Sequence, residues 1–196
     1  MHLAFDIFQG IGVAAAVGIR PFLPALAAGG LAAGDVEIHF NHTDYSFLQG
    51  APFLLGMAVG AILLLAVELR APRRLEGRAP LGLLVAAASI ALGALFFAGS
   101  LCRGHYTVWP GYLGGAACAL VGIAATRPLF ARVRGRLQQS DAVALPLYAE
   151  ITAVVFAALS IVAPPVGPIG LAALLWLLIA GRGRGEQKYA GLRILR

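Results

Sequence analysis

Apolar residues in this chain come in long runs, not at the alternating or every-third-and-fourth spacing of a soluble fold. Residues 7–34 are apolar except for Gln9 and Arg20. Further runs cover about 51–71, 81–102, 111–131, 146–163 and 167–181, separated by short polar or basic stretches. A helix that crosses a bilayer needs roughly 17–25 such residues. The pattern predicts an all-α polytopic membrane helical bundle over residues 1–181 with about six transmembrane segments. A basic tail, 182–196, is expected on the cytoplasmic surface.

Two of these runs are interrupted. Arg20-Pro21-Phe22-Leu23-Pro24 divides the first, because each proline removes a backbone donor and clashes with the preceding turn; half-helices are expected at 3–19 and 22–33. Ala163-Pro164-Pro165-Val166-Gly167-Pro168 separates the last two runs, which have only about 18 and 15 residues. Both proline-broken regions, 19–24 and 163–168, either belong to crossing segments or turn back as re-entrant hairpins. Re-entrant backbone is tolerated only where protein buries it or a wet cavity lies beside it. Six crossings, with the first run crossing once, is the expected arrangement.

Composition agrees. Of 196 residues, 60% are hydrophobic and 12% charged, against roughly 25% charged in ordinary soluble domains. The mean hydropathy is +0.84. This excludes a soluble enzyme, a disordered tail and a nucleic-acid-binding domain, because one soluble core could not hide so much apolar surface. The net charge of +6 is a topology signal. Thirteen of fifteen basic residues fall in three clusters, around Arg70, Arg73, Arg74 and Arg78; Arg127, Arg132, Arg134 and Arg136; and Arg182, Arg184, Lys188, Arg193 and Arg196. Each follows an apolar run, as cytoplasmic loops do under the positive-inside rule. Both termini are then expected in the cytoplasm. Anionic membrane lipids are natural partners for such clusters.

Residues 44–50 before one run resemble 105–111 before another, which gives a weak internal repeat over about 44–102 and 105–163. Repeats flanked by interrupted segments mark transporter-like sites. Gly56-x-x-x-Gly60 and Gly111-x-x-x-Gly115 allow close helix packing; they point more to internal contacts than to a homo-oligomer. Tyr45, Phe47, Tyr106, Trp109 and Tyr112 form an expected interfacial belt. Ser140 and Asp141 are candidate caps for the helix that follows them.

Arg20 carries the most chemical information. Near the middle of its apolar run, it costs roughly 2.5–3.5 kcal/mol to insert and must face a partner or a cavity. The half-helix starting at Phe22 turns its positive end toward the same place. An anion site built from Arg20, Pro21, Phe22 and Pro24 is one reading, and an ion-paired lock is the other. Glu68 and Glu150 are the candidate partners, gates or proton carriers; pairing of Glu68 with Arg70 or Arg74 is the local alternative. His39, His42, Asp44 and His105 lack a recognised metal-ligand spacing, and Cys102 and Cys118 do not form a redox motif. No catalytic or cofactor motif is present.

Three stretches resemble the bacterial membrane proteins of domain-of-unknown-function family 4126. Gly18-Ile19-Arg20-Pro21-Phe22-Leu23-Pro24 is similar to that family's opening Gly-x-Arg-x-Phe-x-Pro stretch. Glu68 followed by Pro72 resembles its second signature, although Leu69-Arg70-Ala71 stands where an Asp-Lys pair is expected. Ala149-Glu150, ahead of a run ending in Ala163-Pro164, resembles its third, with one acid in place of a pair. The resemblance implies a bacterial inner-membrane protein with no established activity.

Two functions fit these residues. One is a transporter or translocase of an anionic small molecule or lipid headgroup, with Arg20 as its contact and Glu68 and Glu150 coupled to it. The other is a non-catalytic membrane scaffold in which Arg20 is a structural lock.

Overall fold

The computed structural model describes residues 2–70, 79–134 and 144–190, with side chains for 3–70, 79–133 and 144–181. Pro72, Arg73, Arg74, Arg78, Arg136, Ser140, Asp141, Arg193 and Arg196 lie outside the described residues, as do the side chains of Arg134, Arg182, Arg184 and Lys188. The described residues form seven α-helices and a 3-10 turn, with no strand among them. In chain order the helices are α1 (His2–Ile19), α2 (Phe22–Ala33), α3 (Ala51–Arg70), α4 (Pro80–Arg103), α5 (Trp109–Arg134), α6 (Leu145–Val162) and α7 (Val166–Ala190). The 3-10 turn is Ser46–Gln49 and leads into α3. By length and composition, α3 to α6 can each cross a membrane; the apolar parts of α1, α2 and α7 are shorter.

The break at residue 20 arises as the sequence dictates. The residue before a proline is pushed away from helical geometry, so α1 stops at Ile19 and Pro21 becomes the N-cap of α2. Pro24 costs less than its position suggests. It lies in the first turn of α2, where the backbone N–H groups have no intrahelical acceptor to lose.

The direction of the chain after that break departs from the expected crossing. Gln9, near the start of α1, donates to the carbonyls of Glu37 (3.4 Å) and Ile161 (2.9 Å). Glu37 follows α2, and Ile161 lies at the end of α6. The start of α1 and the end of α2 therefore meet at one end of the bundle, and Arg20 is the tip of a hairpin between them. We call this the hairpin-entry end. The proline turn at 163–165 lies at the same end, where Gly167 packs on Gly12. From there α7 runs to the opposite end, where Gly181 meets Arg132. The start of α1 and the end of α7 thus occupy opposite ends of the bundle. A single crossing by residues 3–33 would have placed them together. The tail also begins differently from expectation, since α7 continues as helix through residue 190.

The first helix is the centre of the bundle. α1 packs against α4, α5, α6 and α7 as well as α2, and Ala14, Ala15 and Ala16 are fully buried. Helices gain no hydrophobic drive from one another in lipid, so close packing of small residues holds them. A Cβ on Gly122 of α5 would stand 3.0 Å from the Gly18 Cα of α1. At the crossing of α4 and α5, a Cβ on Gly111 would lie 2.7 Å from the Ala98 Cα, and one on Gly115 would lie 2.8 Å from the Ala94 Cα. Gly111-x-x-x-Gly115 is accordingly an internal packing face. Gly60 receives the Phe22 ring, while Gly56 looks onto open space.

α3 stands apart. It packs on α2 and the 3-10 turn, and Leu55, Val59, Ile62, Leu63 and Leu69 are exposed. Near the hairpin-entry end its Phe53 ring meets Phe96 of α4, with centroids 6.1 Å apart. Toward the other end the two helices are separated by a cavity.

Candidate functional site

The hairpin tip delivers Arg20 among residues from three other helices. Its two terminal nitrogens donate to both oxygens of Glu68 on the last turns of α3, at 2.7 and 3.0 Å. This bidentate match of a planar fork to a carboxylate is the strong form of the ion pair. Glu150, near the start of α6, sets Oε1 3.9 Å from the Arg20 Nε. The Phe130 ring of α5 lies 5.7 Å from the guanidinium carbon, within range of a cation–π contact. All three charged side chains are nearly excluded from solvent, at 10% exposure for Arg20, 8% for Glu68 and 5% for Glu150.

This arrangement is incompletely satisfied. Arg20 Nε and Glu150 Oε2 are buried without a hydrogen-bond partner, and no other buried side-chain polar atom among the described residues shares that condition. Native interiors leave few such groups, and each calls for an explanation.

Beside the tip lies a cavity of about 260 Å³. Its charged lining is Arg20, Glu68 and Arg127, a net +1, and its hydroxyls are Ser89 and Thr126. Both hydroxyls donate to the carbonyl four residues back, Val85 and Gly122 respectively. Arg127 is exposed and donates one bond, 2.8 Å, to the Gly82 carbonyl of α4.

The expected site residues divide accordingly. Arg20, Pro21 and Glu68 line the cavity. Glu150 approaches Arg20 from behind and is not among the lining residues. Phe22 packs on Gly60, and Pro24 is buried within α2. Neither lines the cavity.

A second buried ion pair was not anticipated from the sequence. At the hairpin-entry end, Arg103, the last residue of α4, pairs with Asp6 of α1. Arg103 also donates to Gln9 Oε1 (3.1 Å) and to the Glu37 carbonyl (2.7 Å). Asp6 and Gln9 are each only 3% exposed. A signal for this pair did exist. Only Arg20 and Arg103, of fifteen basic residues, fall outside the three basic clusters, and both hold buried carboxylates.

The outer aromatics are ordered too. Tyr45 is buried and shares a short hydrogen bond with Tyr112. Burial, and then the Tyr112 hydroxyl, push the Tyr45 phenol above its ordinary pKa. Among the described residues, no group of three His, Cys, Asp or Glu is assembled to hold a metal ion.

Comparison of the chain with family models, curated proteins and solved structures gave no match, so the likeness to family 4126 rests on the three short motifs alone.

Proposed function

We propose that this protein is a small membrane transporter that takes an anion into the cavity at the hairpin tip. The observation that carries the reading is one guanidinium claimed by two carboxylates beside a cavity of net positive lining. An anion can take the Arg20 fork only when Glu68 gives it up. Release of the fork by Glu68 therefore goes together with binding of the anion. Glu150, with one oxygen unpartnered, is the second carboxylate that can hold the fork.

The membrane setting belongs to the same reading. The ends of α3 and α5 carry Arg70, Arg127 and Arg132 and face the cytoplasm under the positive-inside rule. The cavity then opens on the cytoplasmic half. The hairpin α1–α2 enters from the outer side, and α3 to α7 make five crossings. The resemblance to family 4126 supports the bacterial inner membrane as the location.

Native mass spectrometry of gently extracted protein tests this. Wild type is expected to retain an anionic adduct that Arg20→Gln loses while its thermal transition remains cooperative. Equal spectra from both proteins would overturn the proposal. The bidentate pair also supports the scaffold reading, in which Arg20 only locks α1 to α3. In that case the double reversal Arg20→Glu with Glu68→Arg restores stability and no ligand is ever retained.

A further inference from the structure

We propose that the anion is the headgroup of a lipid, which enters sideways through the gap between α3 and α4. This rests on the transporter reading above and names its substrate class.

The geometry of the gap carries the argument. α3 and α4 meet at the hairpin-entry end through Phe53 and Phe96, and they diverge where Leu64 and Glu68 line one wall of the cavity and Val85 and Ser89 the other. Neither helix closes that space along its length, since α3 packs on α2 and α4 packs on α1 and α5. The rim is apolar, with Leu64 on α3 and Val85 on α4 facing each other across the gap above the charged residues. The floor is charged, with Arg20, Glu68 and Arg127. An aqueous vestibule would have a polar rim. An apolar rim leading to a charged floor matches an amphiphile whose chain stays in hydrocarbon while its headgroup turns inward.

Size agrees with that division. An apolar cavity of about 150 Å³ holds a single benzene ring, so about 260 Å³ accommodates a phosphate-sized headgroup and leaves an acyl chain outside. The charge is complementary as well. The lining carries +1, and Arg127, at the exposed edge, has guanidinium N–H groups beyond the one given to Gly82. A phosphodiester would meet Arg127 first and then compete with Glu68 for Arg20.

The test compares phosphatidylglycerol with phosphatidylcholine in mixed vesicles, and adds water-soluble glycerol phosphate as a third probe. Retained adducts are counted by native mass spectrometry after extraction. Wild type is expected to keep phosphatidylglycerol over phosphatidylcholine, and glycerol phosphate should not displace it. Val85→Trp, which fills the gap, should cut the adduct about tenfold, equivalent to one decade of affinity. Leu64→Trp, which fills the gap from the α3 side, is expected to do the same, in case Val85→Trp fails to fold. Leu113→Trp, exposed on α5, is the control and should change nothing. If glycerol phosphate binds as well as phosphatidylglycerol and both gap variants are silent, the lateral route is wrong and the anion site stands. If no variant or wild-type sample retains any anion, the transporter reading falls with it.

Discussion

Two arginines outside the basic clusters each meet a buried carboxylate, yet their surroundings differ. Arg103 shares its donors among Asp6, Gln9 and the Glu37 carbonyl, and Gln9 in turn reaches Ile161. None of its buried side-chain atoms lacks a partner. Arg20, which also lines a cavity, has an equally good primary pair with Glu68, but its third nitrogen and one Glu150 oxygen are buried without partners. A satisfied network has one low-energy arrangement. A guanidinium between two carboxylates has two, and an added anion makes a third. The first region has one arrangement to hold; under the proposed function, the second is the one that exchanges partners.

Breaking the comparison at its rigid end should have the largest effect. Arg103→Gln leaves Asp6 buried and unpaired, and losing one partner of a buried pair costs roughly 3–5 kcal/mol. A drop in Tm of that order is expected, with anion retention per folded molecule unchanged. Arg20→Gln should show the opposite balance. Glu68 lines a cavity, so the stability loss is expected at roughly 1–3 kcal/mol, while retention of the anion disappears. Similar Tm losses for the two variants, with retention intact in both, would erase the distinction.

A subtler variant sharpens the exchange side. Glu68→Gln removes the competing charge and should strengthen anion binding, measured by the retained adduct at rising ligand concentration. The smallest effect is expected at the ordered rim. Tyr45→Phe removes one hydrogen bond, worth about 1 kcal/mol. Because folding raises the Tyr45 pKa, its contribution is complete below the unfolded value near 10 and is lost as pH rises beyond it. Wild type should therefore lose more Tm than Tyr45→Phe between neutral pH and strongly alkaline buffer.

How far the sequence anticipated this can be judged residue by residue. The helix limits follow closely from apolar run lengths, as with 51–71 expected and Ala51–Arg70 found. The pairing of Arg20 with Glu68 was foreseeable, because an arginine inside an apolar run must find an acceptor. Chain direction after Pro21 was not. Hydropathy is the same whether a helix continues or turns back, and only the contacts of Gln9 with Glu37 and Ile161 settle it. Arg103 stands out only by lying outside the basic clusters, since nothing local shows that Asp6, ninety-seven positions earlier, sits beside it. The extension of α7 through 182–190 was hidden by Gly-Arg repeats that read as the end of a helix.

The central position of α1 has a consequence for how the chain is made. Its packing partners α4, α5, α6 and α7 are all synthesised after it, and the acceptors and donors of Asp6 and Gln9 arrive with residues 37, 103 and 161. The polar groups of α1 and the hairpin tip therefore wait for partners translated later: the Arg20 guanidinium for Glu68 of α3, the Asp6 carboxylate for Arg103 at the end of α4, and the Gln9 amide for Ile161 at the end of α6. Closure of the bundle around α1 is thus expected to follow the insertion of the helices that come after it in the chain.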